Sequence, residues 1–452
     1  MTDNTGVHTQ RLRRTLGLGG VVIIGIAWVT PLIVLATFGI IAQLSKGAAP
    51  TAYLVTLVAM VFTAYSYGRM ASVHYQSAGS AYTYAGEELG PRLGFLTGWL
   101  ILLDYFFIPL VVWLIGAAYL SAQFPGVPTA VWIIAFILVT SALNIIGIKV
   151  NARTNYLLVA FQLLVLGIFV ALSIAYFVRE DTGASLWSPF INENLTVPAL
   201  AAGAAVAAYS FIGFDGLTLL TEETHDPRRT IPRAIIIVVI FFGALFVSVC
   251  YFAQLIHPGG TFEDVNSAAL ELAKAIGGNL FSAFLLAGLI VGQFASGLAI
   301  QGGASRLLFA MGRDGALPRP LSYVLPRLRT PAISIALIGI TGLGALFLDV
   351  TTSTSFINFG AFSAYTLVNF SVIAHFLRHR PGRGAGATLG WVVVPLAGAA
   401  IDFYLLLNLD GRAKLIGVAW LVIGVVWLAW LTRGFRKAPP RMRLEEEMGD
   451  AT

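Results

Sequence analysis

A chain of 452 residues that is 57% hydrophobic and only 11% charged, with a mean hydropathy of +0.82, falls outside the range of a water-soluble domain and implies burial in a bilayer. The formal charge of +6 at pH 7 reflects loop placement, as shown below, and calls for no nucleic-acid partner. A single cysteine, Cys250, excludes an internal disulfide, and no phosphate-cradling loop of an ATP-driven pump is present.

Apolar runs of about 20 residues, enough to cross a hydrocarbon core of about 30 Å, predict twelve spans: residues 18–43, 50–69, 92–122, 128–148, 153–178, 198–221, 232–256, 277–310, 330–348, 355–377, 387–407 and 414–432. The runs are continuous, which favours helices over the alternating strands of a barrel. The fold expected is an all-α integral membrane protein. The first run is longer than a signal peptide and lacks a small-residue cleavage site, so it is expected to be retained. Residues 179–197 and 257–277 and the tail 433–452, with its RMRLEEEMGD, are too short to fold alone. Trp99, Trp113, Trp132, Trp187 and Trp420 are expected as lipid or interface anchors.

Lysine and arginine test the count, because they collect in cytoplasmic loops. Of the 28 Lys and Arg, all but Lys46, Arg179, Lys274, Arg412 and Lys414 fall in the N-terminal segment 1–17, in alternate loops or after the last span. Twelve spans with both termini cytoplasmic are therefore expected.

Two spans carry helix-weakening residues at matching positions. Span 1 reads VVIIGIAWVTPL (21–32) and span 6 reads AAYSFIGFDGLTLL (207–220). Glycine costs a helix about 1 kcal/mol and proline removes a backbone donor. Breaks five spans apart are a mark of inverted-repeat transporters, in which freed backbone groups line a polar cavity. Packing glycines of the small-xxx-small kind are the alternative. The implied halves are residues 18–178 and 198–377, with 387–432 peripheral.

Asp104, Asp215 and Asp402 lie within spans, and no lysine or arginine lies mid-span. A central carboxylate costs at least about 2.5–3.5 kcal/mol, so each needs a partner, a proton or a cavity. Asp104, near mid-membrane, is a candidate ligand for a substrate ammonium. Asp215, at the span 6 break, can take a cation or a proton. Asp402 reads as structural or interfacial. Gln162 is the polar group of span 5, and Trp28 and Tyr209 flank the breaks, where cation–π contact with an amine is possible. His375 and His379, four apart at a helix end, have no third ligand near them in sequence and read as surface, not as a metal site. No nucleophile–base pair marks an enzyme, and neither a cofactor nor a metal is expected.

The segments VTP before TFGI, SAGSAYTYA (77–85), GFLTGWLILLDY (94–105), SFIGFDGLTLLTEET (210–224), ASGLAIQGGASRLLFAMGRDGALP (295–318) and FINFGAFSAYTLVN (356–369) carry a resemblance. The chain resembles the amino acid/polyamine/organocation transporters over its whole length, and within them the bacterial putrescine importers. That resemblance implies a 5+5 inverted-repeat core with broken helices 1 and 6, two peripheral helices, and substrate held between the breaks and faced by spans 3, 8 and 10. It implies backbone contacts from Ile24, Gly25, Ile26, Ala27 and Trp28, and a substrate-facing position at Asp104 and its neighbour Tyr105. Tyr209, Ser210, Ile212, Gly213 and Asp215 would gate and contact substrate, with Asp215 linked to the proton. Two features depart from relatives: Gln162 stands where many proton-coupled members carry lysine, and Ala36 stands where the putrescine importers carry an acid.

The function expected is a secondary active transporter, a proton-coupled importer of a small amine such as putrescine or of an amino acid, working by alternating access in the plasma (inner) membrane as a monomer or homodimer. An exchanger, a membrane sensor and a passive channel are the alternatives. The short tail leaves a sensor little room for an output domain, and a channel would need a continuous polar stripe.

Overall fold

The computed structural model describes residues 14–75, 80–147, 152–180, 185–313, 315–382 and 384–439. Residues 1–13, the start of SAGSAYTYA and the RMRLEEEMGD of the tail lie outside the described residues. The described chain is helical, with one isolated bridge between Leu16 and Thr224.

The first expected span is a bent pair, α1 (Leu18–Val29) and α2 (Ile33–Leu44), turned by 51°. Next come α3 (Ala49–Val73) and a short helix that no apolar run announced, α4 (Ala81–Glu88). Long α5 (Pro91–Gln123) and α6 (Thr129–Ile146) follow, the latter closed by Gly147 at φ 86°. After α7 (Ala152–Arg179), Thr196 caps α8 (Val197–Ala207) by accepting from the Ala199 N–H. The chain continues through α9 (Pro227–Ile256) and α10 (Ala268–Arg313). Gly278, at φ 67°, splits α10 near the point where span 8 was expected to begin. Then come α11 (Ala332–Gly342), α12 (Val350–His379), α13 (Ala385–Thr388), α14 (Val394–Leu407) and α15 (Gly411–Leu431). Asp349 and Asp410 cap α12 and α15 through their carboxylates.

Among the described residues, ten helices are long and apolar enough to cross a membrane, and the bent α1–α2 pair, taken as one span, makes an eleventh. The remaining expected span falls on Ala332–Leu346, an apolar helix too short for that class. The packing has an order that sequence did not show. The first pair meets the sixth span (α1 on the Asp215–Thr221 turn, α2 on α8), α3 packs on α9, α5 on α10 and α6 on α11. Four of the first five expected spans thus touch the span five places later.

Three of the five tryptophans correct the expectation of lipid anchors. Trp113 is fully buried, filling space left by Gly297 and Gly342, where a Cβ would stand 2.9 and 2.2 Å from the indole. Trp99 and Trp420 stack at 4.9 Å, and each indole N–H donates to the other's backbone carbonyl, at 2.9 and 3.0 Å. This clasp fastens α15 to α5. Helices apolar all round do not reveal which face is inward. Trp187 is 73% exposed, and Trp132 is half-buried beside Phe124.

Asp402 is structural, as expected. Fully buried in α14, its Oδ2 accepts from Thr63 Oγ1 at 2.7 Å and Asn369 Nδ2 at 3.0 Å, joining α3, α12 and α14. Asp402→Ala removes the acceptor of both bonds and leaves Asn369 Nδ2 only the Thr63 hydroxyl at 3.5 Å, at about 1–3 kcal/mol for each buried group. A clear fall in the unfolding temperature of the solubilised protein is expected, whereas Asp402→Asn, whose carbonyl accepts the same bonds, stays near wild type. An alanine variant that melts like wild type would remove the network from the account.

Candidate functional site

Helix α1 runs through Val29, so the break falls at 30–32, just beyond the segment 24–28. Thr30 takes φ 60°, ψ 95°, a conformation a β-branched residue rarely adopts. Pro31 has no N–H to donate. The Leu32 N–H is taken by Gln162 Oε1 at 3.2 Å, and the Ile33 N–H bonds the Thr30 carbonyl at 3.2 Å. Gln162 therefore satisfies backbone that the break sets free. Ile24 and Gly25 sit inside the helix, and only the last-turn carbonyls from Ile26 onward lack helical partners. Gly25 serves packing: a Cβ there would stand 2.9 Å from Val238 and 3.0 Å from Leu217.

The second break follows α8. A 3₁₀ turn (Ala208–Phe211) holds Tyr209 and Ser210, the chain opens at 212–214 with Gly213 at φ 115°, and a second 3₁₀ stretch (Asp215–Thr221) resumes. The two breaks interlock through Trp28. A Cβ on Gly213 would lie 3.2 Å from the Trp28 carbonyl oxygen, and one on Gly216 would lie 3.0 Å from its ring. The glycines of span 6 thus permit both the turn and the seat of Trp28.

Around the breaks stand two carboxyls. Asp104, 6% exposed, points from the middle of α5, and its Oδ1 has no hydrogen-bond partner. Pro109, one turn on, leaves the Tyr105 carbonyl without its helical donor. The Asp215 carboxyl is held by backbone amides of Gly213, Asp215 and Gly216. The two acids are close enough to interact electrostatically. Tyr67, Tyr105 and Tyr365 lie in the field of both, and Tyr209 in that of Asp104. The hydroxyls of Tyr67 and Tyr365 are buried without partners. Gly360, whose Cβ would stand 2.6 Å from the Leu100 carbonyl, lets α12 press against α5.

A cavity of about 40 Å³ adjoins Asp215, lined among others by Tyr67, Ser80, Tyr105, Gly216 and Met311. It has room for no more than a few waters. Of the other expected residues, Ile212 lies half-buried in the second break. Ser210 is already engaged, bonded to Tyr53 at 2.9 Å and within 3.5 Å of Thr37, tying span 6 to α2 and α3.

These broken helices and unneutralised acids accompany a clear match. A family profile described as amino acid permease covers residues 20–382. The low-affinity putrescine importer PlaP of Escherichia coli (strain K12) is 36% identical, over 98% of this chain and 99% of that protein. The chain belongs to the amino acid permease family. At 26% identity, the branched-chain amino acid permease BcaP of Bacillus subtilis (strain 168) aligns over 92% of each chain, and the methylthioribose transporter of that organism over 92% and 93%. The permease is thus a multi-pass membrane protein and a transporter of amines or amino acids, not an enzyme.

In this permease Tyr67 and Tyr365 complete the acidic centre, although sequence reasoning passed over them. Tyr365 lies inside FINFGAFSAYTLVN, but nothing in either stretch separates these tyrosines from interface aromatics. Gly213→Ala puts a side chain at positive φ against the Trp28 carbonyl, a strain of about 1–3 kcal/mol. It is expected to cut uptake at least about tenfold and lower the unfolding temperature. Gln162→Leu leaves the Leu32 N–H unpaired, about 1–3 kcal/mol, and should do the same. Wild-type uptake by either variant would contradict the interlocked breaks.

Proposed function

We propose that this permease is a proton-coupled importer of a small amine, the ammonium of its substrate held between Asp104 and Asp215 in a tyrosine-walled centre. One observation carries the reading: two neighbouring carboxyls, Asp104 buried and Asp215 half-buried, with no ion pair to lysine or arginine among the described residues. A carboxylate buried without a counter-charge costs several kcal/mol, so a cation or a proton must take that place. Tyrosine faces favour a cation as well.

The start of α2 favours an amine over an amino acid. A substrate carboxylate would seek the N–H groups at a half-helix N-terminus. Here those of Leu32, Ile33 and Leu35 are bonded to Gln162, Thr30 and Leu32 respectively. The identity to a putrescine importer, higher than to a branched-chain amino acid permease, agrees. Backbone carbonyls of the α1 end and the Tyr105 carbonyl complete the amine's donor needs, with Trp28, Tyr209, Ile212 and Gly213 closing the site.

Coupling follows from charge. Asp215 alternates between substrate and proton: protonated when the site is empty and closed, ionised when the amine binds. Gln162 stands where the family resemblance puts a lysine in many proton-coupled members, which leaves the acids to carry the proton. The packing of four of the first five spans on the span five places later supports an inverted repeat of 18–178 and 198–377, the architecture of alternating access. The 40 Å³ cavity supports an occluded conformation that must open to admit substrate.

In proteoliposomes, accumulation of a diamine such as putrescine is expected to require an inward proton gradient and to collapse with an uncoupler. Counterflow that persists unchanged without a gradient, with no net uptake, would instead make the protein an exchanger. Asp104→Asn should weaken uptake about 10- to 100-fold, the loss of one charge-assisted contact, without altering thermal stability. A folded Asp104→Asn variant with wild-type uptake would end that residue's role.

A further inference from the structure

Away from the acidic centre, the ends of three helices meet at a cluster of imidazoles around one carboxylate. Glu88 ends α4, His74 caps the end of α3, and His375 and His379 lie one turn apart at the end of α12. Glu88 is only 3% exposed. Its Oε1 accepts from His74 Nε2 at 3.0 Å and His375 Nδ1 at 2.7 Å, while its Oε2 is buried with no partner. His379 is exposed and stacks on His375 at 4.4 Å, with a hydrogen bond reaching back to the His375 carbonyl.

The isolated i, i+4 pair of the sequence thus acquires the third ligand it lacked. Glu88, His375 and His379 each offer one ligand atom, and these lie within 4.8 Å of one another. Ligand atoms around a tetrahedral zinc ion stand about 3.3 Å apart, given bonds of about 2.0–2.1 Å. A rotamer change of exposed His379 closes most of that gap. We propose that Glu88, His375 and His379 form a binding site for a divalent transition cation of the zinc type, with water completing the coordination.

The surroundings suit that ligand. The Glu88 carboxylate is held in place by His74 and His375 together, as hydrogen bonds fix a ligating group. His74, stacked on Tyr84 at 5.9 Å and edge-on to His375 at 6.4 Å, holds the same carboxylate oxygen, as an outer hydrogen bond orients a ligand. The Trp391 indole stacks on His375 at 5.6 Å, and the Arg69 guanidinium lies beyond it, 4.7 Å from the indole. Arg378 turns to the Glu87 carbonyl at 3.3 Å. Two imidazoles and one carboxylate select a transition cation over magnesium or calcium.

A bound ion would pin α4 to the end of α12, the helix that carries Tyr365, beside the end of α3, the helix that carries Tyr67. Any movement that separates these ends to open the acidic centre would then be opposed. That consequence rests on the transport reading; the binding itself does not.

The experiment is a titration of the full-length protein in nanodiscs, without substrate, by calorimetry and thermal unfolding. Zinc chloride is expected to bind one to one and raise the unfolding temperature, with no effect of magnesium. His379→Ala, which loses a hydrogen bond and a ring stack to His375 of its own helix, should fold normally and weaken zinc binding at least tenfold, and Glu88→Gln should do likewise. No saturable zinc binding to wild type, or binding unchanged in both variants, overturns the site. Zinc should also inhibit amine uptake by wild type and not by His379→Ala. Binding without inhibition would keep the site and discard the pinning, whereas absence of amine uptake under all conditions would count against the transport reading alone.

Discussion

In a hydrocarbon environment every backbone N–H and C=O needs a partner inside the protein, and the two interrupted helices obey that constraint in different ways. At the first, the Leu32 N–H is met by a side chain from another span, Gln162 Oε1. At the second, the chain tightens into 3₁₀ turns, and the amides around Gly213 and Gly216 gather on the Asp215 carboxyl. The acid is therefore part of how the break is tolerated as well as part of the site. Removing glycine at 213 or 216 would unseat Trp28, and with it the contact that holds one break against the other.

From that interlock the rest of the centre follows. Placing span 1 against span 6 brings α5 and α12 across the gap, where Gly360 allows contact close enough for Tyr365 to share a field with Asp104 and Asp215. Small residues do this work repeatedly: Gly297 and Gly342 accept Trp113, and Gly424 accepts Trp99, whose indole a Cβ would meet at 2.3 Å. Between lipid-soluble helices there is little hydrophobic gain from association, so close backbone approach and paired polar groups carry the packing. The Thr63–Asp402–Asn369 network and the reciprocal Trp99–Trp420 bonds are the polar part of that arrangement.

Much of this was legible in the amino-acid sequence for plain physical reasons. A run of apolar residues long enough to cross a bilayer has few other uses, so most spans were readable. Glycine and proline weaken helices whatever surrounds them, so both breaks were readable to within a few residues, the first lying at 30–32 and not among 24–28. An acid in an apolar run is costly wherever it lies, which marked Asp104, Asp215 and Asp402 and left their roles to context.

What composition along a chain cannot carry is facing. A helix apolar on every side gives no sign of which side meets protein, so sequence does not separate Trp99, Trp113 and Trp420 from lipid anchors or mark Tyr67 and Tyr365 as neighbours of the acids. Nor can it bring together residues separated by nearly 300 positions. Glu88 sits on a helix too short and polar to register as a span, and only the packed structure sets it against His375 and His379. The sequence by itself determined a many-span, all-helical membrane protein with two broken helices and unneutralised acids, because those properties are local. Tertiary structure alone decided which tyrosines surround the acids, which glutamine repairs the break and which carboxylate meets the histidines, because each depends on the angle and rotation at which separate helices pack.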